Sequence, residues 1–336
     1  MTTNQSNNLL PNTHPLCTWH FGENYPFNAC MKLIMEYVEP NEIYSYSFFA
    51  GISGDNFVQV YGHNDDHYHD CVSVVWDGPE FIKYVFDEID YEHTYVTAAQ
   101  IAANKGKYIE TVKAYINKGT PVLIKNAMPG NTNFQVFVGY EENGKILLFL
   151  DGDTPESFKL NTEEEILQDW IFIGAKKKES DFAAIYKNAF SRIAELLASP
   201  DNYNCSYGPK AFRDWADDIE NGRFEGMTHE QFDQWKHYTV YICNLSTNFC
   251  GISFDFLKKA KEAVPELSSL HEEYFRMMKQ SEKIIETLQN IEGNFNVTLS
   301  ALQDNERRAA IAKELRKYSP MYEDFEKLLQ EKLAEV

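Results

Sequence analysis

Cys30 and Asn24 are two residues near the start of the chain whose types and spacing suggest catalysis. Cys30 begins the run "CMKLIMEYV", in which apolar residues recur at helical intervals. A thiol in the first turn of a helix is favoured as thiolate by the macrodipole and by unpaired backbone N–H groups. Asn24 stands six residues earlier, where a loop could bring its carboxamide back to donate to an oxyanion. The alternative is that Cys30 is a small buried residue on the apolar face of its helix.

A second candidate is the histidine-rich stretch "HNDDHYHDC", which runs from His63 to Cys71. If this stretch were extended, His63, His67 and His69 would point to one side, and such a cluster can hold zinc. We favour the alternative of a solvated polar turn, because no distant ligand in the sequence completes the set. No metal and no cofactor is therefore predicted. A histidine of this stretch, or His20, could also act as a base towards Cys30.

Helices and strands must together position these residues in the first half of the chain. A short helix is predicted over residues 30–38, with Asn28 as its cap and Pro40 as its stop. Further helices are predicted at residues 78–89 and 108–117. "NTEEEILQDW" has the composition of a capped helix start.

Strands are predicted from alternating or β-branched runs. The pair "NG" within "EENG" favours a tight hairpin between the last two of these runs, which indicates an antiparallel meander. The glycines of "GISG", Gly51 and Gly54, indicate a close approach of the backbone to a ligand or a sharp turn. The predicted strands are "NFVQVYG", "CVSVVW", "PVLIKNA", "NFQVFVGY" and "KILLFLDG".

The second half of the chain has a different periodicity. After about residue 173 the strand-like runs stop, and the charged stretch "GAKKKESD" is the predicted domain boundary. Beyond it nearly every segment repeats at 3.6 residues, which predicts a helical bundle. The sequence therefore predicts an α+β domain with an antiparallel sheet over residues 1–175, followed by an all-α domain over residues 180–336. Aromatic residues at helical spacing are expected in the core of the bundle: Trp215, Tyr238, Tyr241, Phe249, Phe254 and Phe256.

Composition excludes several classes of function. The 336 residues carry 31 Lys and Arg against 51 Asp and Glu, and a formal charge of −20 repels nucleic acid and anionic membranes. The six cysteines include no C-x-x-C pair, so neither a disulfide framework nor a thiolate zinc site is indicated. No secretion signal and no apolar run of about 18 residues is evident. We expect a cytoplasmic protein without nucleic-acid or membrane partners, while the sequence leaves its oligomeric state open.

Several motifs resemble a known family. The cysteine with a carboxamide six positions before it, "KGTPVLI", and a strand that leads through "GY" and a hairpin into "LLFLD" are similar to papain-like cysteine peptidases, especially the bacteriocin-leader-processing branch. The motifs "YSYSFFAGISGDNFVQVYG", "VGYEENGKILLFLDG" and "DWIFIGAKK", with the later "YGPKAFRDWADDIE", look like the family of the butirosin biosynthesis protein H N-terminal domain. This resemblance covers nearly the whole chain. It implies a bacterial-type protein with a papain-like cysteine-peptidase domain and a helical tail.

The resemblance also implies a set of site residues. In those peptidases the catalytic histidine stands six positions before the Gly of "GY", which here is Asn133, and an aspartate ends the next strand, which here is Asp151. The implied catalytic set is Cys30, Asn24, Asn133 and Asp151. Because an amide does not titrate, Asn133 cannot replace the histidine as a base, and peptidase activity is not expected.

Two functions follow from these residues and from the resemblance. The first is acyl transfer through Cys30 to or from a small amine or acyl metabolite, because a thiolate leaving group needs little protonation. The resemblance implies an acyl-carrier protein as the donor. The second is a non-catalytic module that binds a small ligand or a partner with a degenerate peptidase fold. Fold resemblance supports the architecture more strongly than either reaction.

Overall fold

The structure is a computed structural model that describes residues 6–16, 22–63, 71–76, 78–126, 134–152, 156–200, 205–235 and 237–335. The chain divides into two compact units, and the division is not contiguous along the sequence. The first unit comprises Met1–Ala50 and Trp76–Ser180, and the second comprises Gly51–Val75 and Asp181–Val336. Residues 51–75, which the sequence places in the first domain, thus belong to the second unit.

Helices and strands are mixed as the predicted α+β class requires, and the C-terminal part is helical. The strands are β1 (Asn8–Leu9), β2 (Val60–Gly62), β3 (Tyr91–Val96), β4 (Val122–Asn126), β5 (Phe134–Glu141), β6 (Ile146–Leu150), β7 (Phe158–Asn161), β8 (Gln168–Lys176) and β9 (Cys205–Tyr207). The helices are α1 (Pro26–Val38), α2 (Tyr46–Ser53), α3 (Val72–Val75), α4 (Pro79–Glu88), α5 (Ala98–Ala103), α6 (Lys105–Asn117), α7 (Phe182–Leu197), α8 (Gly208–Glu220), α9 (His229–Trp235), α10 (His237–Asn248), α11 (Gly251–Ala263), α12 (Ser268–Asn290), α13 (Leu299–Gln303), α14 (Asn305–Leu315) and α15 (Tyr318–Leu333).

The first unit is built on an antiparallel sheet. Its strand order is β3-β8-β4-β5-β6-β7, and the short β1 adds to β5. The consecutive pairing of β4, β5 and β6 confirms the predicted meander. Between β5 and β6 the chain turns through Asn143 and Gly144, with φ of 62° and 94°, so the Asn-Gly pair supplies the left-handed backbone that such a hairpin needs.

Helices cover both faces of this sheet. The ring of Phe27 in α1 lies 4.9 Å from that of Phe134 in β5. On the other face, Tyr115 of α6 lies 5.1 Å from Phe172 of β8. Helix α6 and helix α4 agree with the predicted helices at residues 108–117 and 78–89 to within a turn. The central strands β4 and β5 are therefore buried along nearly their whole length.

Two segments fold differently from their prediction. "CVSVVW" contains the short helix α3, not a strand, and the Ser73 N–H donates to the buried carboxylate of Asp55 at 2.8 Å. "NTEEEILQDW" is not a helix start: β7 ends at Asn161, and β8 begins at Gln168 after a turn. In each case a contact with a distant segment decides the local conformation, because propensity alone is a weak constraint on short segments.

The second unit packs helices α7–α15 around an aromatic core. Five of the six aromatic residues predicted for the core are buried, and Phe254 is half-buried. Strands β2 and β9 form a separate two-stranded antiparallel sheet in this unit. Gly51 lies against the ring of Phe256, and a Cβ at this position would come within 2.2 Å of that ring. The close backbone approach predicted for "GISG" is thus met by a core side chain.

Polar contacts join residues 51–75 to the helices of the second unit. The fully buried Asn56 donates through Nδ2 to Ser253 Oγ at 3.4 Å. The Tyr274 hydroxyl donates to the backbone carbonyl of Asn56 at 3.1 Å, and Ser253 Oγ donates to the same carbonyl at 3.2 Å. Because buried polar groups require partners, these bonds specify where the segment sits in the core.

Candidate functional site

The first component of the candidate site is a pair of side chains at one end of the meander. Gln135 lies at the beginning of β5, and Asp151 follows the last residue of β6, one position beyond the ladder pair Val136–Leu150. The Gln135 Nε2 donates to Asp151 Oδ2 at 3.0 Å. This bond holds the carboxylate by an amide, a group that neither supplies nor removes a proton at neutral pH.

The ladder places three more polar side chains near this pair. Ile124 of β4 pairs with Gln135 of β5 on one side and with Trp170 of β8 on the other. Two residues further along β4, Asn126 pairs with Gln168 of β8. Residues opposite each other, or two apart on one strand, share a face of the sheet. We call Asn126, Gln168 and Trp170 the amide–indole cluster. It lies on the same face as Gln135, and this face is the one that α6 covers.

The amide–indole cluster contains buried polar atoms without partners. Among the residues that the structure describes, Asn126 Oδ1, Gln168 Oε1 and Trp170 Nε1 make no hydrogen bond. Each such group costs about 1–3 kcal/mol when it is buried unsatisfied. Three of them on adjacent positions of one sheet face are therefore unusual for residues that serve packing alone.

Cys30 has a different position from the one predicted. Helix α1 begins at Pro26 with Tyr25 as the N-cap residue, so Asn28 is not the cap, and Cys30 is in the second turn. The Tyr25 N–H donates to the Tyr46 hydroxyl at 2.9 Å, and Cys30 itself is 0% exposed. The predicted position of Cys30 in the first turn, where the helix dipole acts most strongly, is therefore wrong.

Of the remaining members of the implied set, Asn24 and Asp151 lie in the described residues. Asn24 lies two residues before α1, and Asn133 lies outside the described residues. Strand alternation puts Gln135 and Asp151 on the face opposite to Phe134, which is the residue that meets Phe27 of α1. The structure thus joins Asp151 to Gln135, a residue that the sequence did not indicate, while the helix with Cys30 packs on the other face.

The histidine stretch gives no metal site among the described residues. Among all the residues that the structure describes, no three His, Cys, Asp or Glu side chains lie close enough together to hold a metal ion. His63 Nε2 lies 3.4 Å from Asp214 Oδ2, and burial lowers the pKa of His63 although Asp214 opposes this shift. His67, His69 and His20 lie outside the described residues.

A thiol at a helix start does occur in the second unit. Cys250 is the N-cap residue of α11, is half-buried, and lies 3.8 Å from Asn56 Nδ2. Burial raises the pKa of Cys250, and the backbone N–H groups of Ile252 and Ser253 act in the opposite direction. This is the combination of thiol, helix start and carboxamide that the sequence predicted at Cys30. In the sequence, Cys250 and Gly251 directly precede a run with helical periodicity, and this pattern is the signal for a cysteine at a helix start.

The residues that sequence reasoning missed had only weak signals. The signal for Gln135 was its amide, which interrupts the otherwise apolar run "FQVFV". Asn126 and Gln168 become neighbours only through the pairing of β4 with β8. That pairing could not be deduced, because the sequence predicts a helix start at residues 161–170 and no strand at β8.

The chain matches no protein-family model, and comparison with curated proteins found no match. In the described part of the chain, every helix is too short or too polar to cross a membrane.

Proposed function

We propose that the first unit is a binding module that recognises a small polar metabolite without forming a covalent bond to it. The observation that carries this proposal is the grouping of Gln135, Asp151 and the amide–indole cluster at one end of one sheet face. Ligand sites are mostly apolar surfaces with a few convergent polar groups, and this grouping has that character.

A papain-like architecture remains part of the proposal. It is supported by the meander β4–β5–β6, by the packing of α1 against β4 and β5, and by the motifs that resemble the butirosin-H-like family. In this view Asn133 and Asp151 occupy the positions of a catalytic histidine and its partner. Loss of the histidine converts a catalytic cleft into a recognition site.

Two features favour binding over chemistry at Cys30. The thiol is fully buried, and its place in the second turn of α1 takes it away from the unpaired N–H groups of the helix start. Among the described residues, the Asp151 carboxylate is bonded to the Gln135 amide, which does not titrate near neutrality. A thiol away from a helix start lacks one of the usual means of activating a cysteine nucleophile.

Acyl transfer is the second candidate, and the packing of α1 against β5 favours it, because the thiol and the strand after Asn133 belong to one unit. The Cys30 sulfur would attack a thioester of a small molecule or an acyl-carrier protein, and the departing thiol would take the Cys30 proton. An amine would then attack the enzyme thioester, form the amide bond, lose a proton to solvent and release Cys30 as the thiol.

One experiment separates the two candidates. The full chain is incubated with propionyl-N-acetylcysteamine, a small thioester, and its mass is measured intact and after digestion. We expect no propionyl adduct on Cys30. An adduct that disappears in Cys30→Ser would contradict the binding proposal and support acyl transfer.

A second experiment tests recognition itself. A library of small polar metabolites is screened against the full chain by saturation-transfer NMR. We expect hits whose signals are lost in Asp151→Ala and Gln135→Leu and kept in Cys30→Ser, with Gln330→Leu on the exposed face of α15 as a matched control. If every hit kept its signal in both Asp151→Ala and Gln135→Leu, this site would not be the binding site.

A further inference from the structure

The amide–indole cluster offers a defined pattern of hydrogen-bonding groups. Asn126 and Gln168 are partners in the β4–β8 ladder, and Trp170 is two residues from Gln168 on the same face. Asn126 is 9% exposed and Trp170 is 0% exposed. The unpartnered atoms among the described residues are two carbonyl oxygens and one indole N–H, which are two acceptors and one donor.

The two amides do not satisfy each other. Although Asn126 and Gln168 are directly opposite, neither oxygen accepts a hydrogen bond from any described residue. Side chains opposite each other in an antiparallel pair have Cβ atoms about 4.5–5.5 Å apart. Asn126 and Gln168 are therefore close enough for one bound group to contact both amides.

The complement of two acceptors and one donor is a group with two donors and one acceptor. A primary carboxamide has this composition, since its NH₂ donates twice and its carbonyl accepts once. A carboxylate lacks the donors, and an ammonium lacks the acceptor that the Trp170 N–H requires.

We propose that the amide–indole cluster recognises a primary carboxamide group of a small molecule, with Asn126 and Gln168 accepting from its NH₂ and Trp170 donating to its carbonyl. This inference rests on the proposed function, because it names the ligand class of the same sheet face. It adds three specificity-determining residues to Gln135 and Asp151. A site that hydrogen-bonds a polar group in this way discriminates strongly against analogues that leave its own groups unpaired.

The indole N–H of Trp170 gives a direct readout. The full chain has five tryptophans, and the ¹⁵N-indole signal of Trp170 is assigned by its loss in Trp170→Phe. The protein is titrated with propionamide, and with propionate and propylammonium as molecules of similar size. We expect a saturable shift of the Trp170 signal with propionamide and none with the other two.

Substitutions of similar shape test the two acceptors. Asn126→Leu and Gln168→Met should each weaken the propionamide titration at least tenfold, whereas Gln330→Met on α15 should leave it unchanged. Gln168→Glu keeps its shape and adds a charge, so it should shift the preference towards propylammonium. This variant also keeps the test valid if the apolar substitutions impair folding.

Three results would overturn the inference. The first is the absence of any saturable shift, which would assign the polar atoms to bound water only. The second is an equal response to propionate or propylammonium. The third is a propionamide response unchanged in both Asn126→Leu and Gln168→Met. Hits that depend on Asp151 and Gln135 but leave the Trp170 signal unmoved would refute this inference while preserving the proposed function.

Discussion

The side chain of Gln135 bridges the beginning of β5 and the end of β6 by donating to the Asp151 carboxylate at 3.0 Å. Gln135 and Asp151 lie one position beyond Val136 and Leu150, the last backbone pair of β5 and β6 at this end. The hydrogen bond therefore couples the carboxylate to the sheet and not to α1.

We expect this bond to contribute to the stability of the strand ends. A hydrogen bond to a charged group has a net value of about 1.5–3 kcal/mol, and the double-mutant cycle of Gln135→Leu and Asp151→Ala should give a coupling energy near the lower end of this range. The measurement is native-state hydrogen exchange at the amides of β5 and β6. Additive effects of the two substitutions would show that the bond makes no contribution.

Gly51 and Gly106 should respond in opposite ways to alanine. A Cβ at Gly51 would come within 2.2 Å of the Phe256 ring, whereas nothing lies within 4 Å of a Cβ at Gly106 in α6. We expect Gly51→Ala to destabilise the second unit by about 1–3 kcal/mol through overpacking, and Gly106→Ala to stabilise the first unit by about 0.4–1 kcal/mol. Urea unfolding measures both, and equal effects of the two would contradict the packing at Phe256.

The cysteines should differ in their rates of alkylation. Burial raises the pKa of Cys205 to about 12. Burial also raises the pKa of Cys250, but backbone N–H groups oppose this shift and the residue is only half-buried. We therefore expect iodoacetamide at pH 8 to modify Cys250 faster than Cys205 and the fully buried Cys30. Peptide mapping by mass spectrometry gives the three rates. Preferential labelling of Cys30 would instead support acyl transfer.

His93 should make the first unit less stable in mild acid. Burial lowers the pKa of His93 below 6.5, and its ring stacks on Phe86 at a centroid distance of 5.0 Å. Asp87 opposes this shift, while Lys83 and Lys177 reinforce it. The unfolded chain then binds the proton more readily, so stability is full above about pH 6.5 and falls as the pH decreases to the folded pKa.

The matched variant for this prediction is His93→Gln, which removes the titrating group. Thermal unfolding between pH 5 and 8 should show a smaller loss of stability in acid for the variant than for the parent. His14 has the opposite effect on stability in acid, because its hydrogen bond to Glu36 raises its pKa. This contribution is the same in the parent and in the variant, so it does not affect their comparison. Parallel pH profiles would rule out a contribution from His93.

Local patterns were sufficient where a segment is long and periodic. The meander was predicted because alternation and the Asn-Gly turn agree, and the helices of the second unit because each repeats at 3.6 residues. Pro26 is a signal for the helix start, since proline favours the first helical position, but the apolar periodicity is clear only from Cys30 onward. The apolar periodicity alone therefore places the thiol in the wrong turn of the helix.

Contacts between distant segments account for the other differences. Three of the four residues of Val72–Val75 are β-branched, yet the segment forms a helix. Its Ser73 N–H donates to Asp55, which stands seventeen positions before the helix begins. Asn126 and Gln168 are brought together by a strand pairing that spans a large part of the first unit. Neither relationship leaves a periodic signal, so the amide–indole cluster could be found only from the three-dimensional register.

The interleaving of the two units affects how the nascent protein matures. Gly51–Val75 emerges from the ribosome well before Tyr274 and the helices that enclose it. At about 5–20 residues per second, this interval is roughly 10–40 s. During that time the aromatic and amide side chains of the segment, including Phe57 and Asn56, are synthesised without the helices that later bury them. The segment is consequently a stretch of the growing chain at which a chaperone would be expected to bind.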